Sequence, residues 1–285
     1  MSGAPEKRAK SRTAAAAARP TRARAFARGT DAHYEDADHY DRTYRRRRED
    51  VRFYVQYAAE RGGPVLELGV GTGRVAAELA REGLDVVGVD RMAPMLARAR
   101  ARIAALPRAE RERVTLVRGD LTRLALGRRF PLVISPFNVL MHLYSRRDWE
   151  RALAGVCAHL APSGRFVFDV LLPYPAALAR SPARLYRAGT VTLRGRRHRY
   201  SESFHYDPVT QVQLVQMVFE DESDRRRPPV IVPLAHRQIF PAELEALLHY
   251  NGLEIVDRWG DFARGPLVEQ SESQVIVAKL RRTRR

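Results

Sequence analysis

Lysine and cysteine are both scarce in this sequence of 285 residues. The lysines are Lys7, Lys10 and Lys279, so the chain holds neither the Tyr-x-x-x-Lys pair of short-chain dehydrogenases nor the Gly-Lys-Ser/Thr sequence of P-loop nucleotide hydrolases. A single cysteine, Cys157, excludes an internal disulfide and a metal site built from several cysteines. Its helical surroundings predict a buried, inert thiol, and the scarcity of cysteine predicts a reducing, cytoplasmic setting.

Long apolar runs are absent as well. No run approaches the roughly 20 residues that a membrane-spanning helix needs, and the apolar stretch of a secretory signal is missing. We therefore expect no membrane partner. Apolar residues still make up 45% of the chain, which is enough to fill the core of one large α/β domain.

Positive charge is concentrated at the two ends of the chain. The net charge is +17, but residues 1–30 hold eight Lys and Arg against one acid, and residues 279–285 hold five against none. The other 248 residues carry only +5. We predict disordered, solvated tails at residues 1–30 and 281–285. Nucleic-acid binding by these basic arms is an alternative, and so is an organelle transit peptide at the N-terminus.

Between residues 65 and 172, short apolar runs alternate with segments of helical periodicity. The runs are VLEL at 65–68, DVVGVD at 85–90, VTLVRGD at 114–120, PLVISPF at 131–137 and RFVFDVLL at 165–172. Strands that alternate with helices of this length indicate βαβ units, whose parallel sheet is buried on both faces. The sequence therefore predicts a Rossmann-like, doubly wound, mostly parallel seven-stranded α/β sheet with a C-terminal antiparallel hairpin.

The flanking regions differ from this alternation. Residues 31–62 predict an N-terminal helix, with Tyr40 and Tyr44 on one face and the run 45–48 as a solvated face. Residues 173–235 are rich in strand-like segments and predict an antiparallel β insertion, with a hairpin turn at 207–210. Residues 63–172 form the predicted core. A strand at 236–240, a helix and the last two strands, up to residue 280, complete its sheet.

The strongest local signal is VLELGVGTGRVAAEL at residues 65–79. Gly69, Gly71 and Gly73 follow the first strand, where a tight turn into a helix requires backbone angles that glycine adopts freely. The start of that helix points free N–H groups at a ligand. Glu67, two residues before the first glycine, would repel the pyrophosphate of a dinucleotide, and it suits a ligand that carries an ammonium group.

Acids also stand at the ends of the next two strands. Asp90 ends the second strand, where a carboxylate can accept hydrogen bonds from both ribose hydroxyls. Asp120 and Leu121 follow the third strand, where they could bind an adenine amino group. The fourth strand ends at Pro136, on the edge where open α/β sheets bind ligands. Either acid alone could instead be a helix cap.

In this order, ELGVGTGR, VGVD, GDL and LAPSGRFVF resemble the successive motifs of the class I S-adenosylmethionine-dependent methyltransferases, over about residues 33–280. The resemblance implies that the three glycines lie against the methionine part of S-adenosylmethionine. It implies that Asp90 holds the ribose, that Asp120 contacts the adenine, and that Met92 packs on the adenine. It also implies S-adenosylhomocysteine as the product and no metal ion.

A narrower resemblance concerns the acceptor. PFNVLMHL at 136–143, the YDRTY helix, the β insertion and HRQIFPAELEALLHYNGLEI resemble small-molecule N-methyltransferases related to glycine N-methyltransferase and the amino-sugar N,N-dimethyltransferases. The resemblance implies that the N-terminal helix is a lid over the cofactor and that the insertion covers a small-molecule acceptor, methylated at an amine nitrogen by in-line displacement. The candidate catalytic residues are then Tyr44, Asn138 and His142, and Tyr40 is a candidate substrate-binding residue. His236 and Arg237 open a predicted strand, where they could contact an acidic substrate, and are the other candidate substrate-binding residues.

Several alternatives stay open. SPFN at 135–138 resembles the (D/N/S)-P-P-(Y/F/W) motif of nucleic-acid amino-methyltransferases but lacks its second proline. An RNA or protein methyltransferase therefore remains an alternative, as does a non-catalytic module that binds the cofactor or nucleic acid. The tyrosines could be core packing, and His142 could cap a helix. One arginine of the run 45–48 could pair with the cofactor carboxylate.

Overall fold

The computed structural model describes residue 29 and residues 31–281 of the chain. The predicted tail at 1–30 therefore lies outside the described residues except for Gly29, and the predicted tail at 281–285 does so except for Arg281. In the part that is described, no helix is both long and apolar enough to cross a membrane.

A seven-stranded sheet forms the centre of the molecule, in the order β10-β11-β5-β4-β1-β2-β3. Neighbouring strands from β5 to β3 run parallel, and β11 runs antiparallel to both β5 and β10. This arrangement confirms the predicted fold class. The strands are β1 (Val65–Leu68), β2 (Val86–Asp90), β3 (Val114–Arg118), β4 (Phe130–Ser135), β5 (Leu160–Leu171), β10 (Leu253–Trp259) and β11 (Ser273–Leu280).

Helices cover both faces of this sheet, which explains why its strands are apolar on both sides. One face packs on the helices before and after β1, and the other packs on the helix before β5 and the helix before β10. Trp149 is fully buried on the second face, and its indole N–H donates to the carbonyl of Leu143. The helices are α1 (Ala37–Tyr44), α2 (Glu49–Arg61), α3 (Arg74–Arg81), α4 (Ala93–Ala104), α5 (Arg108–Arg111), α6 (Arg146–His159), α7 (Pro175–Leu178) and α8 (Pro241–Tyr250).

A second, antiparallel sheet follows the core strand β5, as the predicted insertion requires. Its order is β6-β7-β8-β9, and its strands are β6 (Tyr186–Leu193), β7 (Arg196–Asp207), β8 (Val212–Asp221) and β9 (Val230–Arg237). The hairpin between β7 and β8 turns at the predicted place, with Gln211 as an additional turn residue in the left-handed region.

Two sequence predictions were wrong in detail. Residues 37–61 form two helices, α1 and α2, and the run 45–48 forms the break between them instead of a helix face. Tertiary contacts hold the break, because Arg74 donates to the carbonyl of Arg47 and pairs with Asp50 in the first turn of α2.

The strand predicted at 236–240 is the second error. The strand there is β9, which begins at Val230, ends at Arg237 and pairs with β8 instead of the core sheet. Pro233 within it obscured the strand pattern. The structure accommodates this proline because β9 is an edge strand, where one side of the backbone needs no partner.

Candidate functional site

A cavity of about 520 Å³ opens at the carboxyl ends of the central parallel strands, where the sequence predicted a ligand. The predicted residues that line it are Tyr40, Glu67, Gly69, Gly71, Asp90, Met92, Asp120, Leu121, Pro136 and His142. The predicted residues that do not line it are Tyr44, Gly73, Asn138, His236 and Arg237.

The glycine turn forms the floor of the cavity. Gly69, Gly71 and Gly73 all have positive φ angles, of 72°, 55° and 75°. A Cβ atom on Gly69 would lie 2.4 Å from the side chain of Val139, so a side chain there has neither the backbone angle nor the room. Gly73 lies behind the turn, where a Cβ would meet Ala99 of α4 at 3.4 Å. Gly73 is therefore a packing residue between two helices.

Asp90 ties the end of β2 to this turn. One carboxylate oxygen accepts the backbone N–H of Gly71 and the other accepts that of Met92, both at 2.8 Å. Each oxygen of a carboxylate has a second lone pair, so Asp90 can still accept hydrogen bonds from a ligand. Burial raises the pKa of Asp90, and the backbone hydrogen bonds oppose that shift.

Glu67 is a buried acid in the wall of the cavity. Its side chain is 2% exposed, and its Oε2 atom has no hydrogen-bond partner among the described residues. Burial raises its pKa to about 8, against the nearby positive charge of Arg74 and with the help of the negative charge of Asp90. A buried acid with an unpaired oxygen at a cavity wall is suited to a positively charged ligand group.

Arg74 is a site residue that the sequence analysis missed. Its guanidinium lines the cavity, pairs with Asp50 at 2.7 Å and lies 5.1 Å from the centre of the Phe137 ring. The available signal was its place as the first residue of α3, directly after the glycine turn. Glu67 and Arg74 together give this end of the cavity one acidic and one basic group, which matches the two charges of an amino acid.

The opposite end of the cavity lies beyond β2 and β3. Asp120 lines it and accepts hydrogen bonds from the backbone and the hydroxyl of Thr122, both at 2.8 Å. Burial opposes them, but these bonds lower the pKa of Asp120. Asp120 is thus both the cap of a short 3₁₀ turn and a cavity residue. Arg91 and Asp31 form an ion pair on the same wall, which the sequence analysis also missed.

A cluster of aromatic and imidazole rings closes the third side. The Tyr34 hydroxyl and the Nε2 atom of His142 lie 2.7 Å apart, and the rings of His142 and His236 are 5.0 Å apart between centres. Burial lowers the pKa of His142 well below its ordinary value and that of His236 to about 4. Both imidazoles are therefore neutral near pH 7. Tyr34 had no sequence signal, because it lies 108 residues from its partner.

Tyr44 stands just outside the cavity. Its hydroxyl is 3.1 Å from the Nε2 atom of His33, and its ring centre is 5.0 Å from that of Phe137, which lines the cavity. Tyr40 is adjacent, 4.8 Å from Tyr44 between ring centres, and lines the cavity directly. The predicted helix face thus faces the cavity at Tyr40, and Tyr44 forms a layer behind it.

The structure does not bring the Asn138 side chain to the cavity. Asn138 has a φ of 62°, and its backbone N–H donates to Asp169, which also accepts from the N–H of Phe137 and the hydroxyl of Tyr54. These three bonds fix the turn after β4 from behind, so that Phe137 faces the cavity. Burial raises the pKa of Asp169 to about 6.

Arg237 joins the second sheet to α8 and does not line the cavity. Arg237 forms an ion pair with Glu243 and donates to Gln211 at 2.9 Å, which are contacts that join β9 to α8 and the β7–β8 turn. No three His, Cys, Asp or Glu side chains within the described part of the chain are grouped as metal ligands. The predicted absence of a metal ion stays a prediction.

The chain is similar in sequence and fold to known proteins. Residues 65–164 match a family model described as a methyltransferase domain. The chain is similar to the CcbJ methyltransferase of Streptomyces caelestis, with 30% identity, a TM-score of 0.74, and coverage of 89% of this chain and 99% of that one. It shares its fold with the S-adenosylmethionine-bound amino pentose methyltransferase CalS10 of Micromonospora echinaspora, at 22% identity and a TM-score of 0.63, with coverage of 84% and 95%.

A curated protein is similar to part of this chain. The chain is 29% identical, over 142 residues, to the dTDP-3-amino-3,4,6-trideoxy-α-D-glucopyranose N,N-dimethyltransferase of Streptomyces venezuelae. That match covers 47% of this chain and 56% of the relative. The chain thus spans about half the length of the curated relatives it matches.

Proposed function

Because the chain belongs to the class I S-adenosylmethionine-dependent methyltransferases, we propose that it transfers a methyl group from S-adenosylmethionine to an amine nitrogen of a small molecule. The observation that carries this proposal is the cavity itself. It has an acid and an arginine at one end, an acceptor for ribose hydroxyls in the middle, and neutral imidazole and phenol groups on its third side.

The described residues fit the methyl donor part by part. Glu67 would pair with the ammonium of its methionine portion, and Arg74 with the carboxylate. The backbone at Gly69 and Gly71 leaves room for close approach of this portion. Asp90 would accept from the ribose hydroxyls with its remaining lone pairs. The adenine would lie between Met92 and Leu121, with Asp120 at its amino group.

The chemistry then depends mainly on position. When bound, S-adenosylmethionine supplies a methyl carbon made electrophilic by the positive sulfur and leaves as S-adenosylhomocysteine. The acceptor nitrogen forms a bond to that carbon while the carbon–sulfur bond breaks, and the nitrogen afterwards gives up a proton to water. Holding the two partners in line is the main contribution that a protein makes to such a displacement.

His142 and Tyr34 would contact the acceptor nitrogen. A neutral imidazole and a phenol joined at 2.7 Å can orient an amine by hydrogen bonds. Tyr40 would form the wall opposite. We further propose that α1 and the second sheet are the lid and the cover of the acceptor, since His39 of α1 packs on Phe219 of that sheet at 5.5 Å.

A panel of small amines and their alcohol counterparts tests this function. Purified full-length protein is incubated with S-adenosylmethionine and each compound, and mass spectrometry detects methylated product and S-adenosylhomocysteine in equal amounts. We expect turnover with at least one amine and none with the matching alcohol. The exposed variant Arg46→Ala serves as the active control and Asp90→Ala as the impaired one. Alcohol methylation without amine methylation would contradict the choice of nitrogen.

A further inference from the structure

Glu202 lies in the middle of an apolar and aromatic sheet face outside the cavity, and Asp221 at the end of the same face pairs with Arg196. Glu202 lies on β7, opposite Tyr186 of β6 and Met217 of β8 in the strand register. Because successive residues of a strand point to opposite faces, Tyr200 and Phe204 share the face of Glu202. The acid is therefore flanked by apolar and aromatic side chains in all four directions along the sheet.

This face is continuous with the candidate site. We call it the inner face of the second sheet and define it by the apolar cluster that covers it: Val191, Leu193, Tyr200, Val215, Met217, Phe219, Val230, Val232 and Leu234. One end of the face carries His236, whose ring lies 5.0 Å from that of His142 in the cavity wall. The inner face thus begins where the cavity ends.

Glu202 forms no ion pair among the described residues, and the guanidinium of Arg180 on this face lies over the neighbouring Phe204 and Tyr186 rings, at 4.9 Å and 5.2 Å from their centres. Glu202 accepts a hydrogen bond from the Tyr200 hydroxyl, which leaves most of its acceptor capacity unused. Its charge also reaches Tyr44, because burial first and the carboxylate of Glu202 second raise the pKa of Tyr44 to about 12. Tyr44 in turn packs on Phe137 of the cavity wall. Ring contacts join Glu202 to α1: its partner Tyr200 stacks on Phe219 at 5.0 Å between centres, and Phe219 lies 5.5 Å from His39 of α1.

We propose that Glu202, with Tyr44 and Tyr200, binds the ammonium group of an acceptor whose apolar carbon skeleton packs on the inner face of the second sheet. A carboxylate among aromatic rings is a suitable site for an ammonium ion, because the ring faces and the acid attract the same charge. The inference rests on the proposed function and narrows its acceptors to cationic amines with an apolar body.

The acceptor's own chemistry requires such a group. An aliphatic amine is mostly protonated near pH 7, and it must lose that proton to water before its nitrogen can attack. Its methylated product is protonated as well, so a cation enters and leaves the site. Glu202 lies beyond the cavity lining and does not touch the reacting nitrogen during attack. It is a positioning residue, so replacing it should change the affinity for the acceptor. A large anionic group placed on this face would be repelled by the same carboxylate.

The test uses two probes of similar shape and different charge, phenethyltrimethylammonium and neutral 2-phenylethanol. Each is titrated into the full chain saturated with S-adenosylhomocysteine, and binding is measured by calorimetry. Wild-type protein should bind the ammonium probe more tightly than the alcohol. Glu202→Gln should weaken the binding of the ammonium probe at least about tenfold, or about 1.4 kcal/mol, and leave the binding of the alcohol unchanged.

The matched control is Glu220→Gln, which removes an acid from the opposite face of the same sheet, where it pairs with Arg199. This variant should bind both probes as the wild type does. Glu202→Asp keeps the charge and should retain part of the ammonium binding. Thermal unfolding of each variant checks that the sheet is intact.

The outcomes separate this inference from the proposed function. Failure of the wild-type protein to bind S-adenosylhomocysteine would overturn the function. Normal S-adenosylhomocysteine binding with equal ammonium affinity in wild type and Glu202→Gln would overturn the inference alone. If Glu202→Gln fails to fold, the wild-type comparison decides, because equal affinity for the charged and the neutral probe would also overturn it.

Discussion

Glu67→Gln should remove most of the pH dependence of S-adenosylhomocysteine binding between pH 6 and pH 7. In the free protein the pKa of Glu67 is about 8, so at pH 7 about nine molecules in ten carry this acid protonated. The ligand brings an ammonium group, which is charged throughout this range because the pKa of an α-amino group is about 8. An ion pair between the two requires Glu67 to lose its proton on binding.

The magnitude follows from that pKa. Below pH 8 the ionised fraction of Glu67 rises about tenfold per pH unit, so the affinity should rise about tenfold, or about 1.4 kcal/mol, from pH 6 to pH 7. Binding at pH 7 should release about 0.8 proton per site, because Glu67 gives up about 0.9 and the ligand's amine, already mostly charged, takes up about 0.1. The neighbouring imidazoles do not add to this change, because the pKa of His236 is about 4 and that of His142 is far below its ordinary value.

Calorimetry measures both quantities. Titrations in two buffers with different ionisation enthalpies give the number of protons released, and a series from pH 6 to pH 7 gives the slope of affinity. Glu82→Gln, at the exposed end of α3, is the matched control and should behave as the wild type does. Equal proton release by Glu67→Gln and the wild type would refute the pairing of this acid with the ligand's ammonium.

The other predictions concern the rest of the cavity and its support. Asp90→Ala should weaken the binding of S-adenosylhomocysteine by about 1.5–3 kcal/mol, since charge-assisted hydrogen bonds are lost. An unchanged dissociation constant would contradict the ribose role. Arg74→Gln should weaken the binding of S-adenosylhomocysteine and leave the binding of methylthioadenosine, which lacks the amino acid, unchanged. A loss of affinity for both ligands would indicate a structural role. Trp149→Phe should lower the free energy of unfolding by about 2–4 kcal/mol, because it leaves a void and an unpaired carbonyl at Leu143. Urea titration measures this change, and a loss below about 1 kcal/mol would contradict the packing described.

The core fold was predictable because its signals are local. Each strand is a short apolar run, and the parallel order forces their carboxyl ends to one edge of the sheet. Residues at those ends, such as Gly69, Asp90 and Asp120, therefore had to come together whatever the rest of the chain does. The break at 45–48 and the sheet to which β9 belongs were not predictable in this way, since contacts from distant segments decide both.

The sequence by itself determined the family, the alternation of strands and helices, and the place of the candidate pocket, because the glycine turn and the acid after β2 need only their own strand ends. Tertiary structure alone decided which side chains face that pocket. It turned Asn138 away, since Asp169 holds its backbone from behind, and it brought Tyr34 to His142 across 108 residues. It also set Glu202 on a face that meets the cavity. Such contacts depend on how sheets and helices pack, and packing between distant segments leaves no periodic trace in the chain.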